Sequence, residues 1–399
     1  MNTLRAASAT HEPVAPRATI EAIAGFLALA LAMGVGRFAY TPMLPPMLDQ
    51  SSLTLSGAGF VASANFAGYL VGALLATRSF IARRRVLWLR VGIAATIVTT
   101  AAMAIDAGTT AWAVVRFLAG IASAFVLVFA SAVVFASAVR EGRPMLAALL
   151  YAGVGLGIVA STVLIEFGRE AGWGFEPLWA ALAGLAFVLA IAPWRELVAP
   201  PPATPVALDR SAAGACADRR ALDRLVWSYG CLGFGYVITA TFIVVIARAL
   251  PDARTVEFWT WMIVGIAGAP SNWFWTRVAQ RIGVYPAIVA AFVLEAIGVA
   301  LVAIGQQALA LYVGAALLGG TFMAITALGL ATARSLAPDR PDQTIARMTV
   351  AFSIGQIIGP AIAGWMADRS GSFAAPSWIA VAVLLVGAAL AYRNVKSEG

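Results

Sequence analysis

Apolar runs separated by short polar breaks follow one another almost from end to end of this chain. Twelve such runs are predicted as helices over 20–47, 56–77, 86–105, 110–138, 145–167, 175–194, 225–248, 257–276, 284–305, 308–333, 345–366 and 375–392. At about 1.5 Å per residue, about 20 residues cross a hydrocarbon core of about 30 Å, so each run is long enough to span a membrane. The pattern is also written twice, at an offset of about 200 residues. Gly34-Val35-Gly36-Arg37 returns as Gly233-Phe234-Gly235-Tyr236, Leu118-Ala119-Gly120 as Leu318-Gly319-Gly320, and Tyr151-Ala152-Gly153-Val154-Gly155 as Ala351-Phe352-Ser353-Ile354-Gly355. An all-α polytopic membrane protein of two pseudo-symmetric six-helix bundles is expected, and parallel halves of this kind point to a transporter.

Composition agrees. Hydrophobic residues make up 61% and charged residues 12% of the chain, whereas about a quarter of an ordinary soluble domain is charged. The net charge of +8 does not imply nucleic acid, because the basic residues sit in short loops rather than on one face. Alternate loops collect nearly all of them, leaving only Arg169, Arg248, Arg254 and Arg369 on the other side. By the positive-inside rule both termini are then cytoplasmic, in a bacterial inner membrane. The expected organisation is a tail over 1–18, a bundle over 19–194, a Pro-rich cytoplasmic linker over 195–223, a second bundle over 224–393 and a tail over 394–399. The linker holds Cys216 and the seventh span Cys231, so neither a disulfide nor a metal site is expected, and the one histidine, His11, lies in the tail. No Gly-Lys-Ser/Thr phosphate loop is present, which argues against an ATP-driven pump, and no soluble catalytic cluster suggests an enzyme. A monomer without cofactors is expected, with a small-molecule substrate and, as a possible second partner, protons.

Ionisable groups inside spans narrow the site, since a charge at the bilayer centre costs at least about 2.5–3.5 kcal/mol. Arg37 lies near the middle of the first span, on a helical stripe with Met33, Tyr40, Thr41 and Leu44. It either lines a water-filled cavity and meets an anionic substrate group, or makes a structural ion pair or carbonyl contact. Its counterpart in the repeat is Tyr236, which would line the same cavity or pack between helices. Asn65, Tyr151 and Gln356 are further candidates for substrate contact, with interhelical hydrogen bonding as the alternative. Glu295 is the one acid read as deep in a span; burial favours the neutral form of such a carboxyl, which makes it a candidate proton carrier. Glu166 and Asp106 fall near helix ends and read as solvated.

Arg116 opens the fourth span in Arg116-Phe117-Leu118-Ala119-Gly120-Ile121-Ala122-Ser123-Ala124, which resembles the fourth-helix motif of the major facilitator superfamily. Gly359-Pro360 and Gly364-Trp365-Met366-Ala367-Asp368-Arg369-Ser370-Gly371 also suit that family. Its loop signature survives only as Gly72 to Arg78 with Arg83-Arg84-Arg85, and as Thr276 to Gly283, where Gln280 stands for the usual acid. Gly36 to Pro45, Gly233 to Phe242 and Tyr151 to Gly157 resemble the YbfB/YjiJ-like branch. The resemblance implies rocking-bundle transport and a role for Arg116 in switching or ion coupling. Proton-coupled export of a small organic compound is the first expectation, uptake or exchange of an organic anion held by Arg37 the second, and a non-transporting sensor the third.

Overall fold

The computed structural model describes residues 17–143, 145–198, 219–305, 307–338 and 340–398. Residues 1–16 with His11, and 199–218 of the expected linker with Cys216, lie outside the described residues, while 195–196 and 219–223 belong to the flanking helices. The first span is one long rod in three pieces: α1 (Arg17–Leu29), a π-helical stretch (Ala30–Phe38) and α2 (Tyr40–Gln50). There follow α3 (Leu55–Ala76), the short α4 (Ser79–Ala82), α5 (Arg85–Ala102), α6 (Gly108–Arg140), α7 (Met145–Glu170) and α8 (Phe175–Glu196). The second half comprises α9 (Arg219–Ala247), α10 (Ala253–Ile282), α11 (Val284–Ile304), α12 (Ala308–Leu336), α13 (Pro341–Ser370) and α14 (Ala374–Glu398).

Among the described residues, eleven of these rods are both long and apolar enough to cross a membrane. The twelfth long helix, α10, is diluted by Arg254, Glu257, Arg277 and Arg281 toward its ends. Because successive rods run in opposite directions, one face of the bundle carries Arg17 and Glu398, the first and last described helical residues, and the other carries the tips of α2, α7, α9 and α13. These are called here the terminal and the distal face. Helices satisfy their backbone internally, which is what a lipid environment demands.

The sequence repeat is a packing repeat. A Cβ on Gly120 of α6 would lie 2.7 Å from the Tyr69 nitrogen of α3, and one on Gly319 of α12 would lie 2.9 Å from Val264 Cα of α10. Each half therefore needs a glycine where its fourth helix crosses its second, and Gly319 rather than Gly320 is the counterpart of Gly120. The halves meet along α3 with α13 and α7 with α10. At the second contact a Cβ on Gly155 would come within 2.5 Å of the Gly265 carbonyl oxygen, so only glycine permits the approach.

Candidate functional site

The π-helical stretch sets up the site. A π turn is closed between residues five apart rather than the four of an α-helix, and such turns recur at functional positions. Here two of its carbonyls are taken up by a side chain of the next layer: Arg116 donates from Nη1 to Gly36 O at 2.7 Å and from Nη2 to Arg37 O at 2.8 Å. The Arg116 guanidinium also lies over the Tyr40 ring, 5.0 Å from its centroid, and Asn65 Nδ2 donates to the Arg116 carbonyl at 2.8 Å. Tyr40 in turn donates to Ala58 O at 3.1 Å. Arg116, Tyr40 and Asn65 thus brace the first helix against α3 and α6, and Arg116 spends its charge on backbone oxygens.

Arg37 is different. It is buried, and its guanidinium lies over the Phe66 and Tyr69 rings, 4.6 and 4.7 Å from their centroids. Its Nε and Nη2 have no hydrogen-bond partner among the described residues, and no carboxylate pairs with it. Those two N–H groups share one edge of the guanidinium and form the fork that a carboxylate fills bidentately.

Arg37 lines a central cavity of about 80 Å³ together with Tyr69, Tyr151, Tyr236, Phe322 and Phe352. Tyr236 stands in a ladder of near-parallel rings, 5.3 Å from Phe322 at 6° and 5.8 Å from Phe352 at 9°. Gln356 Nε2 donates to the Tyr236 hydroxyl, which fixes the phenol. Gln356 itself is fully buried and does not line the cavity. A second cavity of about 530 Å³ lies toward the terminal face between α7, α10 and α12, and shares Tyr151, Ala327 and Leu330 with the first. Tyr151 is therefore the threshold between an outer vestibule and an inner site. A smaller void of about 20 Å³ beside Arg37 takes in Tyr40, Asn65 and Arg116.

Of the eight residues singled out from sequence, Arg37, Tyr151 and Tyr236 come together around the central cavity. Gln356 orients one of them, and Arg116, Asn65 and Tyr40 form the brace beside it. Glu295 stands apart: its carboxyl, fully buried, accepts from the Thr321 hydroxyl between α11 and α12 and lines neither cavity, and its other oxygen has no partner. Glu21 and Glu257 are also buried, but each lies near a helix end and pairs with arginines, whereas Glu295 lies in the middle of α11. Tyr69, Phe322 and Phe352 went unrecognised in the sequence because aromatic residues are common in any apolar span.

The distal face is closed by charge. Arg248 of the second half reaches Asp49 of the first at 2.7 Å and Glu257 at 3.4 Å, Arg169 reaches Glu257 at 2.8 Å, and Arg254 reaches Glu166 at 2.8 Å. Asp368 accepts from the backbone nitrogens of Leu55 and Ser56 at 3.1 and 3.0 Å, capping the N-terminus of α3 from the other half. Glu166, expected to be solvated, is thereby part of an inter-half ion pair; the reason is that the helix carrying it abuts α10. Thr41 adds a hydrogen bond to Ala240 O at 2.7 Å. Ion pairs at the terminal face, Arg17 and Arg140 with Glu21 and Arg347 with Asp223, each stay within one half.

Comparison with known proteins accords with this architecture. No curated protein matches the chain. Two crystal structures of the nucleoside transporter NupG superpose on 94% of it at 15% identity: a single-residue variant with TM-score 0.72 over 99% of that chain, and NupG itself with 0.69 over 98%. Likeness at that identity bears on the fold alone. The family described as uncharacterised MFS-type transporter YbfB matches residues 29–392. The chain is therefore a multi-pass, major facilitator-type transporter, not an enzyme, and belongs to the YbfB family.

Proposed function

We propose that this protein is a secondary transporter that moves a small organic anion by alternating access, with Arg37 as the anchor of its central site. The observation that carries the reading is Arg37, a cavity-lining residue that is buried and whose Nε and Nη2 have no hydrogen-bond partner among the described residues. A guanidinium desolvated without an anion is costly, and an anion that enters the cavity offsets that cost. With the distal face latched and the vestibule on the terminal face, the structure corresponds to one end state of a rocking cycle. Placing the terminal face in the cytoplasm, as the arginine distribution argues, makes that state inward-facing in a bacterial inner membrane.

Proton coupling is a second reading, favoured by the buried Glu295 carboxyl with one oxygen unpartnered. Its position away from both cavities places it behind the anion reading. A ligand-stabilisation screen of purified protein across organic acids, amines and neutral compounds tests the first reading, because a ligand of the folded state raises its melting temperature by mass action. Stabilisation by acids that is lost in Arg37→Gln supports the anchor role; stabilisation by amines instead overturns it.

A further inference from the structure

The central cavity has a second property that charge alone does not explain. Six of its fourteen lining residues are aromatic: Phe38, Tyr69, Tyr151, Tyr236, Phe322 and Phe352. Arg37 is the one charged residue among the described lining, and no carboxylate is part of it. The rings are organised. Tyr236, Phe322 and Phe352 keep nearly one plane direction over two successive contacts, so a flat ring inserted beside them gains an offset-stacked neighbour without reorienting any side chain. On the other side, the guanidinium lies over the Phe66 and Tyr69 rings, 4.6 and 4.7 Å from their centroids, while its Nε and Nη2 keep hydrogen-bonding capacity for a ligand. The cavity is small, about 80 Å³ against the roughly 300–1,000 Å³ of drug-sized pockets. The adjoining vestibule, about 530 Å³, admits larger molecules.

On the basis of the anion reading above, we infer that the site selects a planar aromatic monocarboxylate of about one ring, its carboxylate on the Arg37 fork and its ring against the Phe322–Tyr236–Phe352 ladder. Each part excludes a class. Amines meet a cation with no acid to balance it. Dicarboxylates bury a second charge among rings, at the cost of its desolvation. Neutral rings, including nucleosides, leave the fork unpaired.

Calorimetry and thermal unfolding of the purified full-length protein, with benzoate, benzamide, benzylamine, succinate and uridine at constant ionic strength, separate these classes. Benzoate is expected to bind at least about tenfold more tightly than each of the others, since a charged hydrogen-bonded contact is worth at least about tenfold in affinity. Arg37→Gln is expected to remove that preference. If that variant does not fold, the ranking of the five probes on the wild-type protein decides alone. Succinate binding as tightly as benzoate, in an Arg37-dependent way, overturns the aromatic inference and leaves the anion reading standing. Benzamide, benzylamine or uridine binding as tightly as benzoate overturns both, and failure of benzoate to bind or stabilise overturns the inference.

Discussion

The Arg116 guanidinium lies 2.8 Å from the carbonyl oxygen of Arg37, so one arginine holds the backbone of the other while Nε and Nη2 of the second have no hydrogen-bond partner among the described residues. The pair explains how two guanidinium groups coexist in an apolar interior. Backbone oxygens of the π-helical stretch compensate Arg116, and aromatic faces and a future ligand compensate Arg37.

Loss of Arg116 should therefore act on both stability and the site. Arg116→Ala removes two buried hydrogen bonds from a charged donor, each worth about 1.5–3 kcal/mol. A fall in melting temperature and at least about a tenfold loss of anion affinity are expected. Arg116→Lys should recover part of each, because an ammonium lacks the planar fork that reaches both oxygens. Unchanged unfolding and binding in Arg116→Ala would contradict the bracing role.

The distal latch makes its own prediction. Glu257 sits between Arg169 and Arg248, so Glu257→Gln removes the charge that pairs Arg169 across the halves and leaves Arg248 only Asp49. The distal-open state should gain population. A cysteine at Thr41, just beneath the latch, should then react with an impermeant thiol reagent from the distal side about fivefold faster, the effect of about 1 kcal/mol. An unchanged labelling rate would show that the ion pairs do not gate.

Much of this was legible in the sequence. The apolar runs gave the helices to within a few residues at most ends, and the repeat placed Arg37 opposite Tyr236. Roles that depend on backbone partners were not legible: nothing in the residues around Arg116 announces that the carbonyls of Gly36 and Arg37 accept its hydrogen bonds, because those residues lie 80 and 79 positions away. The latch was half visible. Arg169, Arg248, Arg254 and Arg369 are the exceptions to the charge bias, and the first three are the cations that bind across the inter-half seam. Their acidic partners were hidden because ion pairs between halves join residues 88 to 199 positions apart.

Orientation can be checked at the two cysteines. Cys216, in the linker proposed to be cytoplasmic, should stay unlabelled by impermeant reagents in intact cells and react once the cytoplasmic side is opened. Cys231, within α9 and half-buried, should react more slowly in both conditions. Rapid labelling of Cys216 in intact cells would invert the orientation.

Glu295 separates the coupling readings. Glu295→Gln keeps an oxygen to accept from Thr321 and removes the titratable proton, so it should fold normally. If protons are coupled there, transport loses its dependence on a pH gradient and keeps its counterflow. Gradient-driven transport that persists in the variant would make Glu295 a structural hydrogen-bonding residue.

Counterflow in proteoliposomes tests the central claim most directly. With unlabelled benzoate inside and labelled benzoate outside, the wild-type protein should accumulate label transiently, and Arg37→Gln, incorporated at equal density and shown to be folded, should lose that overshoot. Equal overshoot in both proteins would remove Arg37 from the transport site, and no overshoot in either, with benzoate bound, would make the protein a sensor rather than a carrier of organic anions.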